Sequence, residues 1–347
     1  MSDAKELIRN AALAIGQGDS DEDWKVAPTA HAELLAAKAP SLADNLIGSR
    51  PQGLAAMFEE QDAQAVKSRD EFKSTVGRAN SAIFLTASFG ALLLVASGLQ
   101  EQLGESGELV VRTVGVIGII CSGLAAMWLS QVKGGRLDRK WASDRARAEG
   151  KRLTYFKVIL EGASDEPQDQ LLALEYTRRF LLDNQIDYFR ERGGQHEAAA
   201  GGALKLSTAA VFVASTMTAA AGILAFVGPH LAAVAGMGVI ATAFATLIAS
   251  RSSVNLDHNN ADRYRTAADQ LMERKLDLDD YRKRIASGDT GALQEFYDPV
   301  FVILQADHKA FLSDSEQREM AIGGMEKRLD AAKEPLKKQP PENTNDS

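Results

Sequence analysis

AIFLTASFGALLLVASG, residues 82–98, and TVGVIGIICSGLAAMWLS, residues 113–130, decide the fold class of this chain. Neither run contains Asp, Glu, Lys, Arg or His, and two further runs, 206–227 and 231–250, are equally free of ionisable groups. A helix of about 17–25 apolar residues crosses the ~30 Å hydrocarbon core of a bilayer. The four runs lie in adjacent pairs, so they predict two transmembrane hairpins rather than four core helices of a soluble protein. The predicted fold is all-α: an integral membrane protein with two tandem two-helix hairpins and long cytosolic helices.

Outside these runs the chain is strongly polar, which hides the hairpins in the averages. Charged residues make up 25% of 347 residues and mean hydropathy is -0.16, values of a soluble protein. Aromatics at 6% suit Ala-, Gly- and Leu-rich helices better than a β-sandwich. The single cysteine, Cys121, excludes a disulfide framework within the chain and a thiolate zinc cluster. The net charge of -8 argues against general nucleic-acid binding, which needs a basic surface. Residues 1–24 hold no long apolar segment of a cleavable signal and turn acidic at Asp19, Asp21, Glu22 and Asp23, so the N-terminus is expected to stay in the cytoplasm.

Loop charge orients the hairpins. The connector 99–108 carries Glu101, Glu105 and Glu108 and no Lys or Arg, whereas Lys67, Arg69, Lys73 and Arg78 precede the first run. The segment 133–152 holds eight Lys or Arg against three acids, and the short second connector is Gly228-Pro229-His230. Lys and Arg favour the cytoplasmic side. The chain is thus expected to be multi-pass, with both termini cytoplasmic.

The two hairpins read as copies. A shift of 120 residues lays Gly118, Ser122, Ala126 and Ser130 on Gly238, Thr242, Thr246 and Ser250; a shift of 124 lays Thr86, Gly90 and Gly98 on Ala210, Ala214 and Gly222. Small residues four apart form a stripe on a helix, and close approach along such stripes drives helix association in lipid. The stripes are expected to be packing seams within hairpins, between them, or between subunits. The other reading, a narrow polar path lined by the Ser122, Ser130, Thr242 and Thr246 hydroxyls, stays open; hydroxyls also satisfy their own helix backbone.

The domain boundaries expected are 1–55, a loosely helical, linker-like region broken by Pro28, Pro40 and Pro51; 56–165, the first hairpin module; 166–330, the second; and 331–347, a disordered Pro- and Asn-rich tail. After the first hairpin Trp141, Arg145 and Glu149 recur every fourth residue on one helix face; an exposed Arg145–Glu149 pair is worth only a few tenths of a kcal/mol. Arg265, Ala268 and Asp269 echo Arg145, Ala148 and Glu149 at the same shift of 120. Leu174, Leu181 and Tyr188, with Phe180, Ile186 and Phe189, predict an amphipathic helix that needs a partner.

No sequence chemistry emerges. There is no HExxH, no phosphate-binding glycine loop and no dinucleotide fingerprint, so no catalytic, cofactor-binding or metal-binding residue is assigned and the chain is read as a non-enzyme. His31, His196, His230, His258 and His308 are scattered and expected to be solvated. Spans without ionisable groups or prolines count against a pump or coupled transporter, but not against a pore closed by apolar packing.

The order of elements resembles the SLATT family, the SMODS- and SLOG-associating two-transmembrane effector domains. A polar helix with Phe58, Asp62, Ala65 and Phe72 leads into the first hairpin, and a basic helix with Trp141, Arg145, Ala148 and Glu149 follows it. RFLLDNQIDYF, from Arg179 to Phe189, stands as the lead-in of a second module. In that copy the pair becomes Ala268-Asp269, and Tyr264 is out of register with Trp141. The resemblance implies a membrane effector of antiviral defence that oligomerises and permeabilises the membrane. Its trigger would be a cytosolic sensor protein or a nucleotide second messenger, and its partners the lipid bilayer and further copies. The alternatives are a non-conducting membrane scaffold and a small-solute transporter. For a pore, Leu at Gly118 and Gly238 is expected to suppress the leak.

Overall fold

The computed structural model describes residues 2–18, 21–224 and 232–337, and every described element is helical. In chain order these are α1 (Ser2–Ile15), a 3-10 turn (Asp21–Trp24), α2 (Pro28–Leu35), α3 (Pro40–Leu46), α4 (Ser49–Leu103), α5 (Glu105–Gly134), α6 (Leu137–Glu161) and α7 (Pro167–Thr177). A π segment (Arg178–Asp183) follows, then α8 (Asn184–Leu224), α9 (Ala232–Asn255), α10 (Asp257–Leu276), α11 (Leu278–Ala286) and α12 (Ala292–Lys337).

At 1.5 Å per residue α4 is about 80 Å long, far beyond the ~30 Å of hydrocarbon. Each apolar run is therefore one part of a longer helix. Four of the described helices are long and apolar enough to cross a membrane. Only 39, 28, 11 and 22% of their apolar windows are buried, so most of that surface faces outward. Ile119, Ile120, Phe212 and Ile223 are among the large exposed side chains. A soluble monomer does not leave such a belt wet; the chain is compatible with a multi-pass membrane protein.

The first connector is tighter than expected. α4 runs through Leu103, Gly104 alone makes the reversal at φ 57°, and α5 starts at Glu105. Glycine takes that left-handed backbone without a Cβ clash. The second connector, Gly228-Pro229-His230, lies outside the described residues. Two non-glycine residues adopt positive φ, Arg136 at 45° and Leu256 at 53°, and their numbers differ by 120. Each ends a span-bearing helix, α5 and α9, so the sequence shift recurs as a matching break in the backbone.

Contacts divide the chain into two units, each drawing segments from both halves of the sequence. Unit 1 comprises Met1–Ser68, Lys140–His196 and Asn259–Asp314. Its core corrects the linker reading of the N-terminal region. Ala11 and Ile15 of α1, Leu35 of α2 and Leu42 and Leu46 of α3 are buried with Leu171, Leu174, Leu181, Phe296 and Tyr297. Pro28 and Pro40 start helices instead of breaking them, each occupying the first turn, where no N–H partner is lost. The amphipathic helix expected around Leu174 is buried on all sides: every residue from Gln170 to Thr177 is buried.

Unit 2 comprises Arg69–Arg139, Glu197–His258 and Ser315–Ser347, and so holds the four apolar runs and the last part of α12. That last part corrects the tail boundary. The helix continues through Lys337, because Ala332 and Leu336 are buried and Pro335 lies at Gly90. Residues 338–347 of the expected disordered tail lie outside the described residues.

Candidate functional site: the span seams, the end of α12 and the charged cluster

The small-residue stripes enter the seams only in part. Gly118 and Ser122 of α5 are buried, but Ala126 and Ser130 are exposed. The buried face continues instead through Ala125, Leu129 and Val132. A strict four-residue step turns 400° on a helix of 3.6 residues per turn, so a stripe drifts off its face within two or three steps. The same drift takes Gly98 and Gly222 to exposed positions, while Thr86, Gly90, Ala210 and Ala214 are buried. In α9 Gly238 and Ser250 are buried, Thr246 is half-buried and Thr242 is open to a cavity.

Each seam glycine has its own neighbour. A Cβ on Gly238 would stand 3.1 Å from the Ala214 carbonyl oxygen and 2.9 Å from Thr218 Oγ1, so this glycine closes α8 onto α9. Gly236, not singled out from the sequence, meets Val95 and packs α9 on the first span. Phe84 and Phe244 pair edge-on at 6.1 Å across the same contact. At the end of this contact, Ser250 Oγ donates to Asn80 Oδ1 at 2.8 Å, with both residues buried.

Most span hydroxyls with described bonds turn inward to their own helices. Thr86 donates to Ala82 O, Thr218 to Ala214 O, Thr242 to Gly238 O and Thr246 to Thr242 O, all between 2.8 and 3.0 Å. That satisfies the hydroxyl proton within the helix.

The end of α12 is the feature the sequence did not reveal. Glu319 pairs with Arg139 and Glu326 with Lys133, each at 2.6 Å. Farther along, a Cβ on Gly90 would be 3.5 Å from Ala332 O and from Pro335, and one on Gly118 would be 2.8 Å from Leu336 Cδ2. Leu336 joins Leu93, Ala96 and Val111 in a small apolar cluster. A helix carrying Asp330, Lys333, Glu334 and Lys337 therefore reaches into two runs that contain no charge.

In unit 1 the predicted face of α6 forms a charged cluster. Arg145 Nη2 lies 2.5 Å from Glu149 Oε1, Arg145 Nη1 3.2 Å from Asp62, and Arg152 2.9 Å from Glu149 Oε2. Burial pushes the Glu149 carboxyl up, but Arg145 and Arg152 outweigh it and hold the group at about 2. Trp141 stacks edge-on to Phe311 at 5.3 Å. The echo residues Arg265 and Asp269 are exposed, although Ala268 is buried as Ala148 is. The well-buried arginine of α10 is Arg263, 3.0 Å from Asp307 and 2.5 Å from Asp314.

A second ionic knot closes the π segment. Buried Glu175 takes Arg178 at 2.7 Å and Arg282 at 2.6 Å, while Asp183 takes Arg178 at 2.5 Å and Lys275 at 2.8 Å. His31 corrects the solvated-histidine expectation. It is buried, its Nδ1 lies 2.8 Å from the Tyr176 hydroxyl, and its ring stacks on Phe180 at 4.1 Å. Burial lowers its pKa to about 4, against the pull of Asp23. Tyr176 in turn shares a 2.8 Å hydrogen bond with Tyr155.

Among the described residues no group of three or more His, Cys, Asp or Glu is placed to hold a metal ion. Comparison with protein-family models, with curated proteins and with solved structures finds no match.

Proposed function

We propose that the chain is a multi-pass membrane effector of the SLATT kind, kept closed by the end of α12 and leaky when that helix end is withdrawn. The observation that carries this reading is the depth α12 reaches. Its charged last turns lie against Gly90 and Gly118, inside runs devoid of ionisable groups. Charged side chains at that depth are costly in hydrocarbon, so this helix end calls for water beside it. A polar helix end seated among apolar spans has the geometry of a stopper.

The outward apolar belt supports lipid and further copies of the chain as partners. In this reading the termini and the basic flanks face the cytosol of the inner membrane. A cytosolic sensor protein or nucleotide second messenger supplies the signal. Such a signal acts only by binding the released arrangement better than the closed one.

Flux from proteoliposomes tests the reading. The chain ending at Met325 is expected to leak faster than the full chain. Equal, negligible flux from both would leave a non-conducting scaffold, which the inward-bonded span hydroxyls also fit.

A further inference from the structure

We infer that unit 2 holds a binding site for one anionic membrane lipid, in the cavity bounded by the first span, α9 and the end of α12. The cavity measures about 360 Å³, within the range of about 300–1,000 Å³ usual for small-molecule sites. Its wall is mostly apolar, with Phe84, Ala87, Leu94, Val239 and Leu247 among the lining side chains.

Two donors at the cavity lack acceptors. Arg328 Nη1 and Asn80 Nδ2 are both buried with no hydrogen-bond partner, and both residues line this space. A buried donor without an acceptor is costly, more so when it carries charge. Thr218, Thr242 and Thr246 also line it, but their protons are directed to their own helix carbonyls. The site therefore places the Arg328 cation and the Asn80 amide at its wall for the polar part of a ligand, and hydrocarbon for the rest.

Position completes the match. Asn80 lies two residues before the first charge-free run, while Leu94 lies deep within it. A phosphate oxygen at Arg328 and Asn80 would stand near the interface, with an acyl chain descending along Phe84, Ala87 and Leu94. An anionic phospholipid has that chemistry, and the bilayer supplies it beside the site. The inference rests on the membrane reading above, but not on the leak.

The test uses the full chain purified in neutral detergent, after alkaline carbonate extraction has established whether it is membrane-embedded. Phosphatidylglycerol and phosphatidylcholine are titrated separately, and the thermal midpoint is read. The expected result is saturable stabilisation by phosphatidylglycerol and little by phosphatidylcholine. Arg328→Gln should weaken the response about tenfold, the scale of one charge-assisted hydrogen bond, without lowering the lipid-free midpoint. Ala87→Phe, which fills the apolar part and leaves Arg328 in place, should abolish it. An undiminished response in both variants, or equal stabilisation by phosphatidylcholine, would overturn the site. Release of the chain by carbonate would instead remove the membrane reading, and the lipid site with it.

Discussion

The Ser250 hydroxyl donates to the Asn80 side-chain carbonyl across 2.8 Å, joining the first and fourth spans at a buried contact. Residues 170 positions apart meet here through a polar bond in an otherwise apolar seam. Interhelical hydrogen bonds between spans average about 0.6 kcal/mol and reach about 1.7. A double-mutant cycle of Asn80→Ala and Ser250→Ala, read by denaturation in mixed micelles, should give a coupling within that range. Strictly additive single effects would show that the bond contributes nothing.

The two glycines paired by the 120-residue shift should behave in opposite ways. At Gly118 a larger side chain meets the flexible end of Leu336, so Gly118→Leu displaces α12. Overpacking of about 1–3 kcal/mol translates into a leak raised about tenfold. This reverses the suppression expected from the stripe alone. At Gly238 the obstacle is the Ala214 carbonyl, which cannot swing away. Gly238→Leu should destabilise the second hairpin by about 1–3 kcal/mol without raising flux. Liposome flux and micelle denaturation of the two variants separate these outcomes.

Glu149 and Asp269 are related by the 120-residue shift and occupy unlike places in space. Glu149 is engaged by Arg145 and Arg152, whereas Asp269 is exposed. Removing one partner of a largely buried ion pair costs about 3–5 kcal/mol, and the half-exposure of Arg145 places this cluster toward the lower figure. Glu149→Ala should lower the thermal midpoint by several degrees; Asp269→Ala should leave it unchanged. Equal midpoints for the two variants would contradict the assignment of the cluster to the first copy.

His31 gives the chain an acid-side stability slope. Its pKa falls from 6.5 to about 4 in the folded chain through burial. A depressed histidine stays neutral when folded while the unfolded chain takes up the proton. Stability is therefore fully present above pH 6.5 and is lost as pH falls toward about 4. The linkage amounts to roughly 3 kcal/mol. Urea midpoints of the wild type should decline over that window, and His31→Gln should flatten the decline. The Glu149 increment, with its pKa lowered from 4.5 to about 2, disappears only at more acid pH.

Much of the architecture was legible in local patterns. Charge-free runs located the four long apolar helices, and residues related by the 120-residue shift share two features in the structure, the buried Ala148 and Ala268 and the backbone breaks at Arg136 and Leu256. Arg145 and Glu149 were placed on one face and do meet. The stripes were half legible: Gly118, Ser122 and Gly238 enter seams, while Ala126, Ser130, Gly98 and Gly222 do not, because four residues overshoot a helical turn. Arg328 carried no signal at all, being one cation among many on a charged helix. Asn80 could have been noticed as the last amide before an apolar run. The prolines of α2 and α3 misled because the same residue that ends one helix is well suited to start the next.

By itself, the sequence determined that this chain is helical, that four stretches of it suit lipid better than water, and that small residues recur between them at a shift of 120. Those properties are local, set by side-chain solvation and by the spacing of residues along one helix. Only the tertiary structure decided that α1 to α3 belong to a core, that the copied acids at 149 and 269 differ in burial, and that a charged helix ends among apolar spans. These depend on which distant surfaces meet, and a helix face does not encode its neighbour.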